Sequence, residues 1–173
     1  MAQLFNLIWD ICRLRKGPQD LPYSPAALVA LCAITLVFET IVDTEAAAVA
    51  VGVVALGIYL SIIFLLLNLR GLRSRFVQTA IALLGCALVF NVIMLPLVLL
   101  FGDPQAAQTF SPGKGMLILA LLLIMSWKLI VDANIFRHGL NVPFFSGLMI
   151  AVMWFIIAMY AVHQLMGSPP PAA

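Results

Sequence analysis

The sequence predicts an all-α integral membrane protein with five transmembrane helices, preceded by a short amphipathic helix at the membrane interface. Hydrophobic residues make up 64% of the 173 residues and charged residues only 9%, whereas soluble domains are roughly half apolar and a quarter charged. A water-soluble fold of this length has too little interior to hide so much apolar surface. Five apolar runs separated by polar turns set the number of membrane helices.

Residues 1–16 form the predicted amphipathic helix. Gln3, Asn6, Asp10 and Arg13 recur at helical spacing on one face, and leucine and isoleucine fill the opposite face. The segment is too polar to span a bilayer, and the basic residues at its end suit anionic head groups. We expect this helix to lie in the interface of the membrane. The alternative is a helix packed under the bundle as a plug.

The remaining elements follow from turn signals and apolar runs. Residues 17–25 are a proline-rich linker whose last two residues start a helix. Ser24 is the expected N-cap, and the first turn of the helix tolerates Pro25 because its missing N–H would have no partner there. The five-helix bundle occupies residues 26–166, and the proline-rich tail 167–173 is expected to be disordered. The five predicted spans cover approximately residues 26–42, 47–69, 76–101, 116–136 and 142–165.

The basic residues divide unevenly between alternate connections. On one side of the membrane, the predicted connections contain a single basic residue, Lys114. Seven basic residues are predicted on the other side: Arg13, Arg15, Lys16, Arg70, Arg73, Arg75 and Arg137. Because cytoplasmic loops are enriched in Lys and Arg, this division predicts a cytoplasmic N-terminus and a periplasmic C-terminus. The same seven residues are expected to contact anionic lipid head groups.

Lys128 and Asp132 form the most informative polar feature of the sequence. They lie four residues apart in the fourth predicted span, where an ionisable group costs about 2.5–3.5 kcal/mol on insertion scales. We expect them to face protein and each other, because helical side chains lean toward the helix N-terminus. Asn91 of the third span is a further polar residue predicted deep in the membrane. Two interpretations stay open: a polar site for a proton, an ion or a lipid head group, and a structural pair that fixes helix rotation.

Neither catalytic residues nor a metal or cofactor site are expected. The sequence contains none of the common nucleophile, zinc-protease or nucleotide-binding motifs. Cys12, Cys32 and Cys86 are scattered without a C-x-x-C pair, and His138 and His163 are predicted on opposite sides of the membrane. The expected partners are lipids and either a membrane protein or further copies of the chain, and nucleic acid is not among them.

The stretch from Trp127 to Ile150, "WKLIVDANIFRHGLNVPFFSGLMI", resembles the Yip-type (Ypt/Rab-interacting protein-like) five-span membrane family. The resemblance lies in a Trp followed by small residues, a basic turn ending in Gly-Leu, and a last span. Eukaryotic members are implicated in vesicle trafficking through small GTPases. In this chain "DLPYSP" departs from the family's Asp-Leu-Tyr-Gly-Pro motif by an inserted proline and Ser for Gly, so GTPase binding is not carried over. The chain is similar to the short bacterial branch, which implies a bacterial inner membrane.

Three functional hypotheses are compatible with these features. The first is a non-enzymatic membrane protein that organises protein partners or lipids. The second is a small transporter or channel that uses Lys128, Asp132 and Asn91. The third is an accessory subunit of a larger membrane complex, whose partner helices would cover the apolar faces.

Overall fold

The computed structural model describes residues 2–42, 48–101 and 112–166. The protein is all-helical, with 89% helix and no strand among the described residues, which confirms the all-α part of the predicted fold class. The described helices are α1 (Ala2–Cys12), α2 (Pro25–Val42), α3 (Ala48–Leu69), α4 (Phe76–Phe101), α5 (Pro112–Leu140) and α6 (Phe144–Met166). Two short 3-10 turns, Pro18–Asp20 and Arg73–Arg75, precede α2 and α4.

Three of the described helices are long and apolar enough to cross a membrane. Their apolar stretches are Val49–Leu69, Arg73–Leu97 and Gly115–Leu140. Shorter apolar stretches, Pro25–Thr40 and Phe144–Ile157, lie in α2 and α6, so the number of five spans stays a prediction. The connections 43–47 and 102–111, and the tail predicted to be disordered, lie outside the described residues.

The linker between α1 and α2 is fixed at both ends by capping. Leu14 turns the chain after α1 with a left-handed φ of 60°, and the N–H of Arg15 reaches back to the Asp10 carbonyl at 2.9 Å. At the start of α2, the Ser24 hydroxyl oxygen accepts a hydrogen bond from the Ala27 N–H at 3.3 Å. The predicted N-cap is therefore confirmed.

The apolar face of α1 packs against α4 and α5. Ile8, Ile11 and Cys12 are at most 5% exposed. At the approach to α4, a Cβ on Gly85 would lie 2.6 Å from Ile8 Cδ1, so the Ile8 side chain would have to shift. On α5, the indole N–H of Trp127 donates to the Cys12 carbonyl oxygen at 3.0 Å. These contacts match the alternative of a helix packed against the bundle, and contact of its exposed face with head groups stays a prediction.

Buried residues are concentrated at the end of the bundle where α1 packs. Residues 79–86 of α4 and residues 131–136 of α5 are consecutively buried. Farther along the same helices the side chains become exposed, as at Leu99 (72%) and Met116 (76%). We call α1 together with residues 79–86 and 131–140 the packed end. Residues 92–101 of α4 and 115–123 of α5 form the open end.

Small residues allow the helices of the packed end to cross closely. A Cβ on Gly147 of α6 would lie 2.4 Å from the Ala133 carbonyl oxygen of α5 and 3.0 Å from the Arg137 nitrogen. A Cβ on Gly139 of α5 would lie 3.0 Å from the Thr79 hydroxyl oxygen of α4. Close backbone approach through small residues is typical of helix packing in membranes. These crossings determine which face of α5 turns inward.

Candidate functional site

Asp132 lies in the buried stretch of α5, and Lys128 lies one turn before it. The Lys128 ammonium donates to Asp132 Oδ2 at 2.6 Å. The Lys128 side chain is 26% exposed and the Asp132 side chain only 8%. This confirms the predicted i,i+4 pair. The carboxylate is fixed by its surroundings, whereas the ammonium reaches the surface of the bundle.

The surface next to the pair is a cleft between α5 and α6. Its volume is about 100 Å³, which exceeds the space that a single water molecule needs. The residues that line it are Met125, Lys128, Leu129, Asp132, Trp154 and Phe155. Phe155 is 40% exposed, so the cleft opens on the outside of the bundle, where a membrane protein meets lipid.

The aromatic wall of this cleft is supported from α3. The ring of Tyr59 packs against the ring of Trp154, with centroids 4.6 Å apart and planes inclined by 53°. Such a tilted contact adds about 0.5–1.5 kcal/mol to the burial of the rings. Three helices therefore contribute to the surroundings of the charged pair.

The Lys128 ammonium has hydrogen-bonding capacity left after it binds Asp132. An ammonium has three N–H donors, and among the described residues its one hydrogen bond is to Asp132. The pair carries no net charge when both groups are ionised, and most of the cleft wall is apolar. This chemistry suits an amphiphile that offers an oxygen acceptor to Lys128 and an apolar chain to the aromatic side chains.

Asn91 is not among the residues that line the cleft. It lies half-buried on α4, next to Phe90. The Phe90 ring contacts the Trp127 ring edge-on, with ring centroids 5.1 Å apart. The structure therefore brings Lys128 and Asp132 together but does not add Asn91 to the cleft. Its membership of a shared polar site stays a prediction.

The seven basic residues predicted to share one side of the membrane lie after α1, between α3 and α4, and near the end of α5. Contacts join these segments at the packed end: Arg75 donates to the His138 carbonyl oxygen at 3.2 Å, and Gln78 donates to the Leu21 carbonyl oxygen at 2.6 Å. Arg73 binds the side chain of Asn68. Their location on one side of a membrane stays a prediction.

Sequence reasoning missed the aromatic part of the site. Trp154 and Tyr59 are the relevant residues, and each lies well inside a predicted span. Trp and Tyr of membrane helices are enriched at the membrane–water interfaces, so their central positions were an available signal. Their neighbours in the sequence are all apolar, and no periodicity indicates which faces turn inward.

No family model, curated protein or solved structure matches this chain. The resemblance to the Yip-type family therefore remains an interpretation of the sequence.

Proposed function

We propose that this chain is a non-enzymatic integral membrane protein that organises lipids or protein partners in the membrane, with the α5–α6 cleft as its lipid contact. The observation that supports the proposal is the partly exposed Lys128 ammonium in a largely apolar, outward-opening cleft. A charged group inside a membrane normally faces the protein interior or a functional cavity. The rest of the cleft wall matches the chemistry of a lipid chain.

Native mass measurement of the protein purified in a mild detergent tests this proposal. We expect lipid to remain bound to the wild type and to be lost from the double variant Lys128→Met/Asp132→Leu, which removes both charges. Ser126→Ala is the matched control, because its exposed hydroxyl binds the Leu122 carbonyl one turn back on the same helix. Equal lipid retention by all three proteins would overturn the cleft as the lipid site. Stoichiometric co-purification of another protein without lipid would favour the accessory-subunit hypothesis.

A transporter or channel is the second candidate, because Asp132 is a nearly buried carboxylate in the membrane-spanning region. Proton or ion relays in membranes are built from such groups. Proton or ion flux across the membrane of liposomes that contain the purified protein would support this candidate if the flux disappears in Asp132→Asn. Liposomes with no flux above empty controls would exclude it.

We further propose five membrane spans in a bacterial inner membrane, with a cytoplasmic N-terminus and a periplasmic C-terminus. The seven-to-one division of basic residues supports this topology. Cysteines introduced at Ser74 and Ser168 should react with an impermeant reagent from opposite sides, in a background from which the native cysteines are removed. Reaction of both positions from one side would rule out this topology.

The exposed face of α1 is proposed to contact the head-group region. Phe5 is 60% exposed and Trp9 is 38% exposed, although the opposite face is packed on the bundle. We expect lipids brominated near the head group to quench the Trp9 emission, measured as the difference in fluorescence between the wild type and Trp9→Phe. Quenching by a water-soluble quencher alone would contradict a lipid contact.

A further inference from the structure

A small cavity lies at the packed end, away from the Lys128–Asp132 cleft. It is enclosed by the 3-10 turn Pro18–Asp20, the first turn of α4 and the last turn of α5. Its volume is about 10 Å³, which is the space of about one oxygen-sized group. Gln19, Arg75, Gln78, Thr79 and His138 contribute its polar lining.

The Thr79 hydroxyl in this cavity has no hydrogen-bond partner among the described residues. Thr79 is only 1% exposed, and a buried polar group without a partner costs about 1–3 kcal/mol. Gly139 keeps the space beside the hydroxyl open, because a Cβ there would lie 3.0 Å from Thr79 Oγ1. A buried donor beside an open space indicates that the cavity receives an acceptor atom.

The charges around the cavity favour an anion. One terminal nitrogen of Arg75 donates to the His138 carbonyl oxygen, and the guanidinium has five N–H donors in all. No carboxylate of the described residues forms a salt bridge with Arg75. The Asp20 carboxylate in the adjoining turn accepts the N–H of Gly17 at 2.9 Å. The first turn of α4 adds the positive end of its helix dipole.

The Gln78 amide nitrogen uses one of its two N–H groups on the Leu21 carbonyl oxygen at 2.6 Å. The unpartnered Thr79 hydroxyl and the remaining N–H groups of the Arg75 guanidinium are the donors best suited to an anionic oxygen. A hydroxyl and a guanidinium together are a common way to hold a phosphate oxygen. The cavity admits one oxygen atom, so the rest of a phosphate group would lie outside it.

We propose that this cavity binds one phosphate oxygen of an anionic phospholipid head group. The inference rests on the proposed membrane topology, which places this end among the basic connections at the cytoplasmic head groups. It does not depend on lipid binding at the α5–α6 cleft. The Thr79 hydroxyl donates to the oxygen that enters the cavity, and the Arg75 guanidinium neutralises the phosphate charge.

Thermal unfolding of the full chain in mild detergent tests the proposal while phosphatidylglycerol is titrated into the micelles. Phosphatidylcholine and inorganic phosphate are the comparison ligands. The test variants are Thr79→Val and Arg75→Gln. Thr35→Val is the control for hydroxyl removal, because the Thr35 hydroxyl on α2 binds the Leu31 carbonyl. Arg70→Gln is the control for charge, because Arg70 is an exposed residue of the same basic connection that does not line the cavity.

We expect phosphatidylglycerol to raise the melting temperature of the wild type and both controls more than phosphatidylcholine does. In Thr79→Val and Arg75→Gln, the phosphatidylglycerol concentration that gives half of the rise in melting temperature should increase about tenfold. This change corresponds to the loss of one charge-assisted hydrogen bond. Without lipid, Thr79→Val should unfold no earlier than the wild type, because the change removes an unpartnered buried hydroxyl.

Three results would overturn the inference. The first is an identical phosphatidylglycerol response in Thr79→Val and Thr35→Val, which would mean that the cavity holds water alone. The second is an equal loss in Arg75→Gln and Arg70→Gln, which would indicate general surface electrostatics. The third is an equal response to inorganic phosphate, which would identify a soluble anion as the ligand. Native mass measurement of Lys128→Met/Asp132→Leu reads lipid loss at the α5–α6 cleft, and the Thr79→Val and Arg75→Gln titrations read loss at this cavity, so failure at either site is seen separately.

Discussion

The two ends of α4 are both hydrophobic but have different surroundings. Residues 79–86 are buried among α1, α5 and the neighbouring segments, whereas Val92, Leu99 and Leu100 are 60–72% exposed. Both stretches consist mainly of apolar residues. Hydrophobicity therefore does not distinguish a side chain that contacts protein from one that contacts lipid, since a lipid chain is as apolar as leucine.

The difference between the ends lies in their small and polar residues. The packed end has glycines at its crossings, the Trp127 hydrogen bond and the Lys128–Asp132 pair next to it. The described part of the open end lacks comparable contacts between helices, and apolar side chains line its surface. We infer that the packed end specifies and stabilises the fold, whereas the open end depends on lipid or a partner to cover it.

The largest expected effect comes from filling the closest crossing of the packed end. Gly147→Val places a Cβ 2.4 Å from a backbone oxygen of α5, and neither backbone can move aside as a flexible side chain would. Overpacking usually costs about 1–3 kcal/mol and occasionally more, and we expect about 3 kcal/mol or more here. Chemical unfolding in detergent measures the loss. Gly57→Val on α3 is the control, because a Cβ there meets nothing within 4 Å, and an equal loss in both variants would contradict this role of the crossing.

The second-largest effect is expected when the charged pair beside the packed end is broken. Asp132→Leu leaves the Lys128 ammonium without its partner, and breaking a buried pair costs about 3–5 kcal/mol. Because Lys128 is 26% exposed, we expect about 2–3 kcal/mol, a value reduced for solvent screening. The double variant Lys128→Met/Asp132→Leu should regain most of the loss if the pair is structural. Wild-type stability of Asp132→Leu would mean that the pair is not effectively buried.

A smaller effect is expected where α1 meets α5. Trp127→Phe keeps most of the ring contact with Phe90 but removes the N–H that binds the Cys12 carbonyl at 3.0 Å. Loss of one such hydrogen bond costs about 1 kcal/mol, and α1 should become easier to detach. Hydrogen exchange of residues 2–12 is the measurement, with exchange of α3 as the internal reference. Unchanged protection of α1 would show that this hydrogen bond does not hold it.

The sequence was sufficient to predict the helices and the charged pair. Turn residues and apolar runs place each of the five predicted spans on a helix of the structure, with the starts of the second and fifth spans one or two residues before α3 and α6. The four-residue spacing places Asp132 beside Lys128. The packing of Ile8 against Gly85 was not predictable, because the two residues are far apart in the sequence and each lies in an ordinary helical segment. The contact of Tyr59 with Trp154 was hidden for a different reason: helices that are apolar on every side give no periodic signal of their inward face.

The most direct test of the difference between the two ends uses one helix and one substitution. Leu83 of α4 is 1% exposed at the packed end, and Leu99 of the same helix is 72% exposed at the open end. Truncating a buried leucine to alanine costs about 2–5 kcal/mol, whereas a change at an exposed site usually stays within about 0.5 kcal/mol. We predict that Leu83→Ala lowers the free energy of unfolding in detergent by at least 2 kcal/mol and that Leu99→Ala leaves it nearly unchanged. Equal losses at both positions would contradict the conclusion that the packed end carries the stability of the fold.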